Sequence, residues 1–152
     1  MTMCLKCTTI RTHVPKTDFF DSGACRALQN SLDIPFVPRT YAYGKAFEHH
    51  VILDCLRLND ALERGFEFSY LRTKDDAEVD LVIERPGRSV LLVEIKSSES
   101  VDATELRSLR AFGKDIPGSE RLVLCQERSP REVDGIAIVP WQEGLRRIFC
   151  LD

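Results

Sequence analysis

The stretch from Glu78 to Ser97 sets two carboxylates and a lysine, Asp80, Glu94 and Lys96, where they can work together. Val79, Leu81 and Ile83 alternate with Glu78, Asp80, Val82 and Glu84. Leu91, Val93 and Ile95 alternate with Val90, Leu92, Glu94 and Lys96. A period of two is that of a strand, whose successive side chains face opposite ways. Between the two runs lies Arg85-Pro86-Gly87-Arg88-Ser89, in which proline fixes φ and glycine permits a positive φ, as a tight turn needs. A hairpin centred on Gly87 places Asp80 opposite Glu94 and Glu78 opposite Lys96. Two carboxylates facing each other repel. A cation between them removes the repulsion, and Mg²⁺ (or Mn²⁺) suits the place because it takes oxygen ligands from one or two carboxylates plus water. The register decides this, since a slip of one residue sends Asp80 and Glu94 to opposite faces. The competing reading is a charged face without function, with Glu78 paired to Lys96 and Arg72 to Asp80 or Glu94. Surface pairs of that kind are worth only ~0–1 kcal/mol.

Other elements must hold this hairpin. Lys45–Leu62 reads as an amphipathic helix. At about 100° per residue, Phe47, Val51, Ile52, Cys55, Leu56, Leu58 and Leu62 share one arc. Glu48 falls in the middle of that arc, where an unpaired carboxylate is costly to bury. An ion pair or a first-turn dipole contact would satisfy it; so would a place at a metal site. His49 and His50 project away from the arc toward solvent, although neutral imidazole can bind metal. Phe66–Thr73 alternates as a third strand, and Lys74-Asp75-Asp76 turns into the hairpin. Asp102 or Thr104 can cap a following helix, whose stripe is Leu106, Leu109, Arg110 and Phe112 up to Gly113. Arg121–Gln126 is a short apolar strand, with Gln126 at its end as either a substrate contact or a surface glutamine. Glu127–Asp134 reads as a charged loop and Gly135–Val139 as another strand. Trp141–Phe149 reads as a closing helix with Leu145 and Ile148 inward.

The fold class is therefore α/β, in the order αβββαβ, with a mixed central sheet flanked by helices. Residues 1–16 show no period and are expected to be irregular; residues 17–152 are expected to form a single domain. Within the latter, Thr17–Asp21 reads as a short strand, Ala24–Asn30 as a short helix, and Leu32–Tyr43, with Pro35 and Pro38, as an extended connector. A chain of 152 residues suits one domain. Its 43% hydrophobic and 30% charged residues are ordinary for a globular protein rather than a disordered one. No apolar run nears the ~20 residues that span a bilayer, and Met1–Val14 has no apolar core of a signal peptide. The expected compartment is the cytoplasm, with no membrane partner. The six cysteines are then expected to be reduced, and Cys4-x-x-Cys7 is half a zinc site at best, although His13 and Cys25 lie downstream. A net charge of −3 counts against a globally basic nucleic-acid surface. Local basic groups remain at Arg107, Arg110 and Lys114, and at Arg146 and Arg147.

The motifs taken in order resemble a known family. Gly44-Lys45-Ala46-Phe47-Glu48, Tyr70-Leu71-Arg72-Thr73, Glu78-Val79-Asp80 and Val93-Glu94-Ile95-Lys96-Ser97-Ser98 are similar to the C-terminal domain of prokaryotic AAA-type ATP-binding proteins. That domain is labelled as of unknown function and is placed in the PD-(D/E)XK nuclease-like fold, whose core motif is Asp80 with Glu94-Ile95-Lys96 here. The resemblance covers about residues 16–140. It implies a restriction-endonuclease-like core and Mg²⁺-dependent hydrolysis of DNA or RNA phosphodiester bonds. Asp80 and Glu94 would hold the ion with the backbone carbonyl of Ile95, and Glu48 would complete the acidic set. Lys96 would orient the attacking water or stabilise the transition-state charge. It also implies an ATPase module or partner chain. The present sequence has no G-x-x-x-x-G-K-[ST] phosphate loop, and Gly44-Lys45 lacks the earlier glycine, so no ATP hydrolysis is expected from it. A non-catalytic module that binds nucleic acid or protein for an ATPase is the other reading, and a degenerate remnant is a third. The oligomeric state is not legible.

Overall fold

The computed structural model describes residues 10–13, 35, 37–73 and 77–151. Its centre is the antiparallel ladder that the alternating runs anticipate. Strand β1 (Ile10–His13) pairs with β2 (Glu67–Arg72), β2 with β3 (Glu78–Glu84), and β3 with β4 (Leu91–Ile95). A one-turn 3₁₀ segment (Ala103–Leu106) and helix α2 (Arg107–Asp115) then cross to β5 (Glu120–Cys125), which lies parallel to β4. Strand β7 (Ile136–Pro140) continues the parallel half, and β6 (Arg131–Val133) closes the edge in antiparallel sense. Among the described residues the sheet has seven strands in the order β1-β2-β3-β4-β5-β7-β6. Helix α1 (Tyr41–Ala61) precedes β2, and α3 (Trp141–Phe149) follows β7. The order α1-β2-β3-β4-α2-β5 is the expected αβββαβ, and the mixed α/β sheet is as read from the sequence.

Each sheet face carries its own core. On one, Leu81, Ile83, Val93 and Leu124 pack against Phe47 and Val51 of α1 and Leu145, Ile148 and Phe149 of α3. On the other, Val79, Val82, Leu92 and Val123 pack against Leu109 and Phe112 of α2. A central strand buried on both faces needs apolar residues at nearly every position, and β4 is buried throughout. That burial gives Glu94 its environment. The turn is as expected: Arg88 N–H donates to Arg85 O at 3.1 Å and Gly87 has φ +71°. The observed pairs Leu81–Val93, Val82–Leu92 and Ile83–Leu91 keep the predicted register.

Five readings are corrected. The segment 1–16 is not irregular throughout, because Ile10–His13 forms β1 on the edge of β2. Helix α1 starts at Tyr41, not Lys45, so the extended connector ends earlier than Tyr43; Thr40 Oγ1 accepts from Tyr43 N–H at 3.2 Å and caps it. The charged loop after β5 contains the short strand β6. Leu53 is buried although it lay off the predicted arc, and Leu62, placed on that arc, is exposed. Val79 shares a core with Val82 and not with Leu81 and Ile83, for a reason that matters at the site below. The short strand and helix expected at Thr17–Asp21 and Ala24–Asn30 lie outside the described residues, as do Cys4, Cys7 and Cys25. Among the described residues no helix is long and apolar enough to cross a membrane.

Helix α3 sits close to the sheet because residue 144 is glycine. A Cβ there would overlap Leu124 Cδ2 and stand 3.0 Å from Val139 Cγ2. Gly144→Ala is expected to destabilise the fold by ~1–3 kcal/mol through overpacking, despite the ~0.5–1 kcal/mol that alanine gains in a helix. Urea denaturation checks this; a variant as stable as the wild type would mean that α3 can shift outward freely.

Candidate functional site

Three elements converge at the C-terminal end of β4. Helix α1 approaches it closely, since a Cβ on Gly44 would lie 3.5 Å from Ser97 Oγ. Strand β3 reaches it through a bulge. Ser69 pairs with Val82 and Leu71 with Val79, so Tyr70 alone faces both Asp80 and Leu81. One extra residue reverses the alternation beyond it, which is why Val79 joins the core of Val82. The bulge also places the Asp80 carboxylate against the next strand, where Oδ2 accepts the Ile95 N–H at 2.7 Å.

Glu94 is 7% exposed. Its Oε1 pairs with Lys96 Nζ at 2.7 Å, and its Oε2 is buried with no hydrogen-bond partner among the described residues. On α1, Glu48 Oε2 pairs with Lys45 Nζ at 2.8 Å. Lys45, Glu48, Glu78, Asp80, Glu94 and Lys96, with Ile95, line one open cleft of about 400 Å³. All the residues singled out in the sequence for this site are thus brought together. The pairing of Lys96 with Glu78, expected for an idle charged face, is replaced by its pairing with Glu94.

The electrostatics follow from burial and crowding. Burial pushes Asp80 up to about 7, the charges of Glu94 and Glu48 push the same way, and the Ile95 N–H and Lys96 resist. Burial also raises Glu94, against the opposing charge and hydrogen bond of Lys96. For Lys96 burial works downward, but the charge and hydrogen bond of Glu94 outweigh it and hold the ammonium above its usual range. Lys45 is raised chiefly by its hydrogen bond to Glu48, with Asp80 and Glu78 adding their charge. Carboxylates that resist ionisation in one cleft are a recognised mark of functional sites.

These residues fit a hard divalent cation. The carboxylates of Glu48, Glu78, Asp80 and Glu94 and the Ile95 carbonyl offer oxygen ligands, the carboxylates outnumber the lysines, and the buried Glu94 Oε2 has an acceptor's lone pairs to spare. As they stand, no three His, Cys, Asp or Glu side chains among the described residues converge tightly enough to hold a metal. Two ammonium groups occupy Glu48 and Glu94 instead.

Other expectations are placed elsewhere. His50 stacks edge-on to Trp141 at 5.3 Å and lies 3.6 Å from Asp54; neither it nor His49 lines the cleft. Gln126 is not a free surface glutamine, because its Nε2 donates to Tyr43 Oη at 2.9 Å and ties β5 to α1. Of the basic groups, Arg110 is engaged with Asp134 at 2.6 Å and Arg147 with Glu143. Lys45 was missed as a site residue. Its signal was a lysine three positions before a glutamate on one helix, a spacing that brings side chains together.

A family model described as Domain of unknown function (DUF4143) matches residues 43–143, from the first turn of α1 to the first turn of α3. No curated protein and no solved structure matches the chain.

Proposed function

The chain belongs to the DUF4143 domain family, and on that premise we propose that it is a PD-(D/E)XK nuclease-like domain hydrolysing phosphodiester bonds of DNA or RNA with a divalent cation. The observation that carries this reading is the buried Glu94 Oε2, which has no hydrogen-bond partner among the described residues, beside Asp80 and Lys96 in one open cleft. Asp80 and Glu94 would hold Mg²⁺ or Mn²⁺, with Glu48 and the Ile95 carbonyl as further oxygen donors. When bound, the ion supplies a Lewis acid for a phosphoryl oxygen and lowers the pKa of a bound water. The chain's own groups do the rest. Asp80 stays oriented through the Ile95 N–H. Lys96 remains charged beside Glu94 and stands ready to stabilise negative charge that grows at phosphorus. An ATPase module or separate ATPase chain, and a cytoplasmic location, belong to the same proposal.

The test is cleavage of end-labelled single-stranded DNA, duplex DNA and RNA with and without Mg²⁺. Lys96→Met is expected to lower the metal-dependent rate by ~10²–10³ while Mn²⁺ binding, followed by calorimetry, persists. A wild-type protein that cleaves none of the three would sink the nuclease reading. One observation favours a second reading, a non-catalytic module serving an ATPase: Lys45 and Lys96 already neutralise Glu48 and Glu94, as in a settled scaffold. A scaffold shows no thermal shift with Mg²⁺ or Mn²⁺, whereas a bound ion raises Tm by mass action.

A further inference from the structure

The two lysines of the cleft are not equivalent. The Lys96 side chain is 30% exposed and sits on a glutamate whose side chain is 9% exposed. Lys45 is 51% exposed and sits on Glu48, which is 23% exposed. The first pair is walled in by the sheet. The second stands at the mouth of the cleft on a flexible four-carbon stem. A lysine–carboxylate pair with an exposed partner contributes little to stability, so Lys45 leaves Glu48 at little cost.

The charge count gives that departure a meaning. Among the described residues, four carboxylates, Glu48, Glu78, Asp80 and Glu94, line the cleft with two ammonium groups, Lys45 and Lys96. Fully ionised, the set carries two negative charges in excess, which one divalent ion cancels. The buried Glu94 Oε2 is an acceptor with no hydrogen-bond partner among the described residues. Glu48 is the acceptor held by the more exposed of the two ammonium groups.

Resting on the metal site of the preceding section, we propose that Lys45 is the resting counter-ion of the cleft. It holds a cation's place on Glu48, yields when a single divalent ion binds, and then turns its ammonium to a substrate phosphate. In the resting cleft Lys45 is held in its charged form, first by its hydrogen bond to Glu48 and then by the charges of Glu48, Asp80 and Glu78, against the opposing effect of burial. It acts as a mobile cation and not as a base. It would therefore lower metal affinity and raise substrate affinity, a pairing of effects that a merely structural surface ion pair does not produce.

Two measurements on wild type, Lys45→Met and Lys45→Arg test this. In calorimetric titrations the wild type takes up one Mn²⁺, and Lys45→Met binds it ~10-fold more tightly, the effect of removing one nearby positive charge in a wet cleft. In Ca²⁺, Lys45→Met binds a fluorescein-labelled oligodeoxynucleotide ~10-fold more weakly, and Lys45→Arg restores that binding. Unchanged or weaker Mn²⁺ binding by Lys45→Met overturns the proposal, as does uptake of two ions by the wild type, even if the protein proves to be a nuclease. Tighter Mn²⁺ binding together with weaker oligonucleotide binding supports it, even if no substrate is cleaved, in which case the nuclease reading alone falls.

Discussion

Asp80→Asn, Glu94→Gln protein is expected to remain folded, to give no saturable Mn²⁺ heat and, on the nuclease reading proposed above, to lose metal-dependent phosphodiester cleavage by more than ~10³, since each electrostatic contact of this kind is worth ~10²–10³ in rate. The fold survives because the substitutions remove a burden. Asp80 and Glu94 are carboxylates whose burial opposes their own ionisation. The asparagine oxygen can still accept the Ile95 N–H that Asp80 Oδ2 takes at 2.7 Å. The glutamine keeps the volume of a side chain that is 9% exposed, so no cavity opens in β4. Binding disappears because a neutral amide oxygen is a poor replacement for a carboxylate toward a hard cation. Circular dichroism and the urea midpoint establish that the variant is folded, and calorimetry then reads the site. If the folded double variant still binds Mn²⁺ with wild-type affinity, the ion sits elsewhere and the acidic hairpin is an ion-pair scaffold.

Much of this site was legible because it depends on local chemistry. The Pro86-Gly87 turn and the apolar alternation on each side fix the β3–β4 register, and the ladder from Leu81–Val93 to Ile83–Leu91 follows it. Helix α3 was legible for the same reason, since Pro140 and the spacing of Leu145 and Ile148 are local signals. The bulge at Asp80 was not. Nothing in Glu78-Val79-Asp80-Leu81 distinguishes an unbroken strand from one that gains a residue against Tyr70, because the difference lies in the partner strand. The consequence is specific: Val79 changes face, and the Asp80 carboxylate reaches the Ile95 N–H. Strand β1 was illegible because Ile10–His13 is too short to show a period and exists by pairing with the edge of β2. Lys45 was overlooked because its neighbour Gly44 drew a comparison with phosphate loops. The need of Glu48 for an ion pair was legible from its place on the apolar arc, and Lys45 meets it at 2.8 Å. The hydrogen bond of Gln126 was illegible because it spans the chain to Tyr43, a contact that only the packing of α1 on the sheet creates.

The crowding of carboxylates also makes stability depend on pH, in an unusual direction for acidic groups. Asp80 has an ordinary value of 3.8 and is raised to about 7 in the folded protein. Between those values the folded state keeps a proton that the unfolded chain has released. Stability therefore falls as pH rises through this window. The contribution is fully present below about pH 4 and is lost above pH 7, with a ceiling of ~4 kcal/mol at ~1.4 kcal/mol per tenfold change in acidity. Glu94 is raised too and acts in the same direction. Lys45 and Lys96 are raised from 10.5 and stay charged across the window, so they do not supply the slope. Metal-free wild type is thus expected to have a lower Tm at pH 8 than at pH 5, and Asp80→Asn to flatten most of that difference. Mn²⁺ should restore stability at pH 8, by ~2.7 kcal/mol at a hundredfold excess over its Kd, and do little at pH 5, where the proton already occupies Asp80. Proton and metal then compete for one carboxylate, which separates a cation site from a scaffold. In a scaffold the pH slope persists with Mn²⁺ present. At a cation site, saturating Mn²⁺ and Asp80→Asn each remove most of it, and their effects do not add.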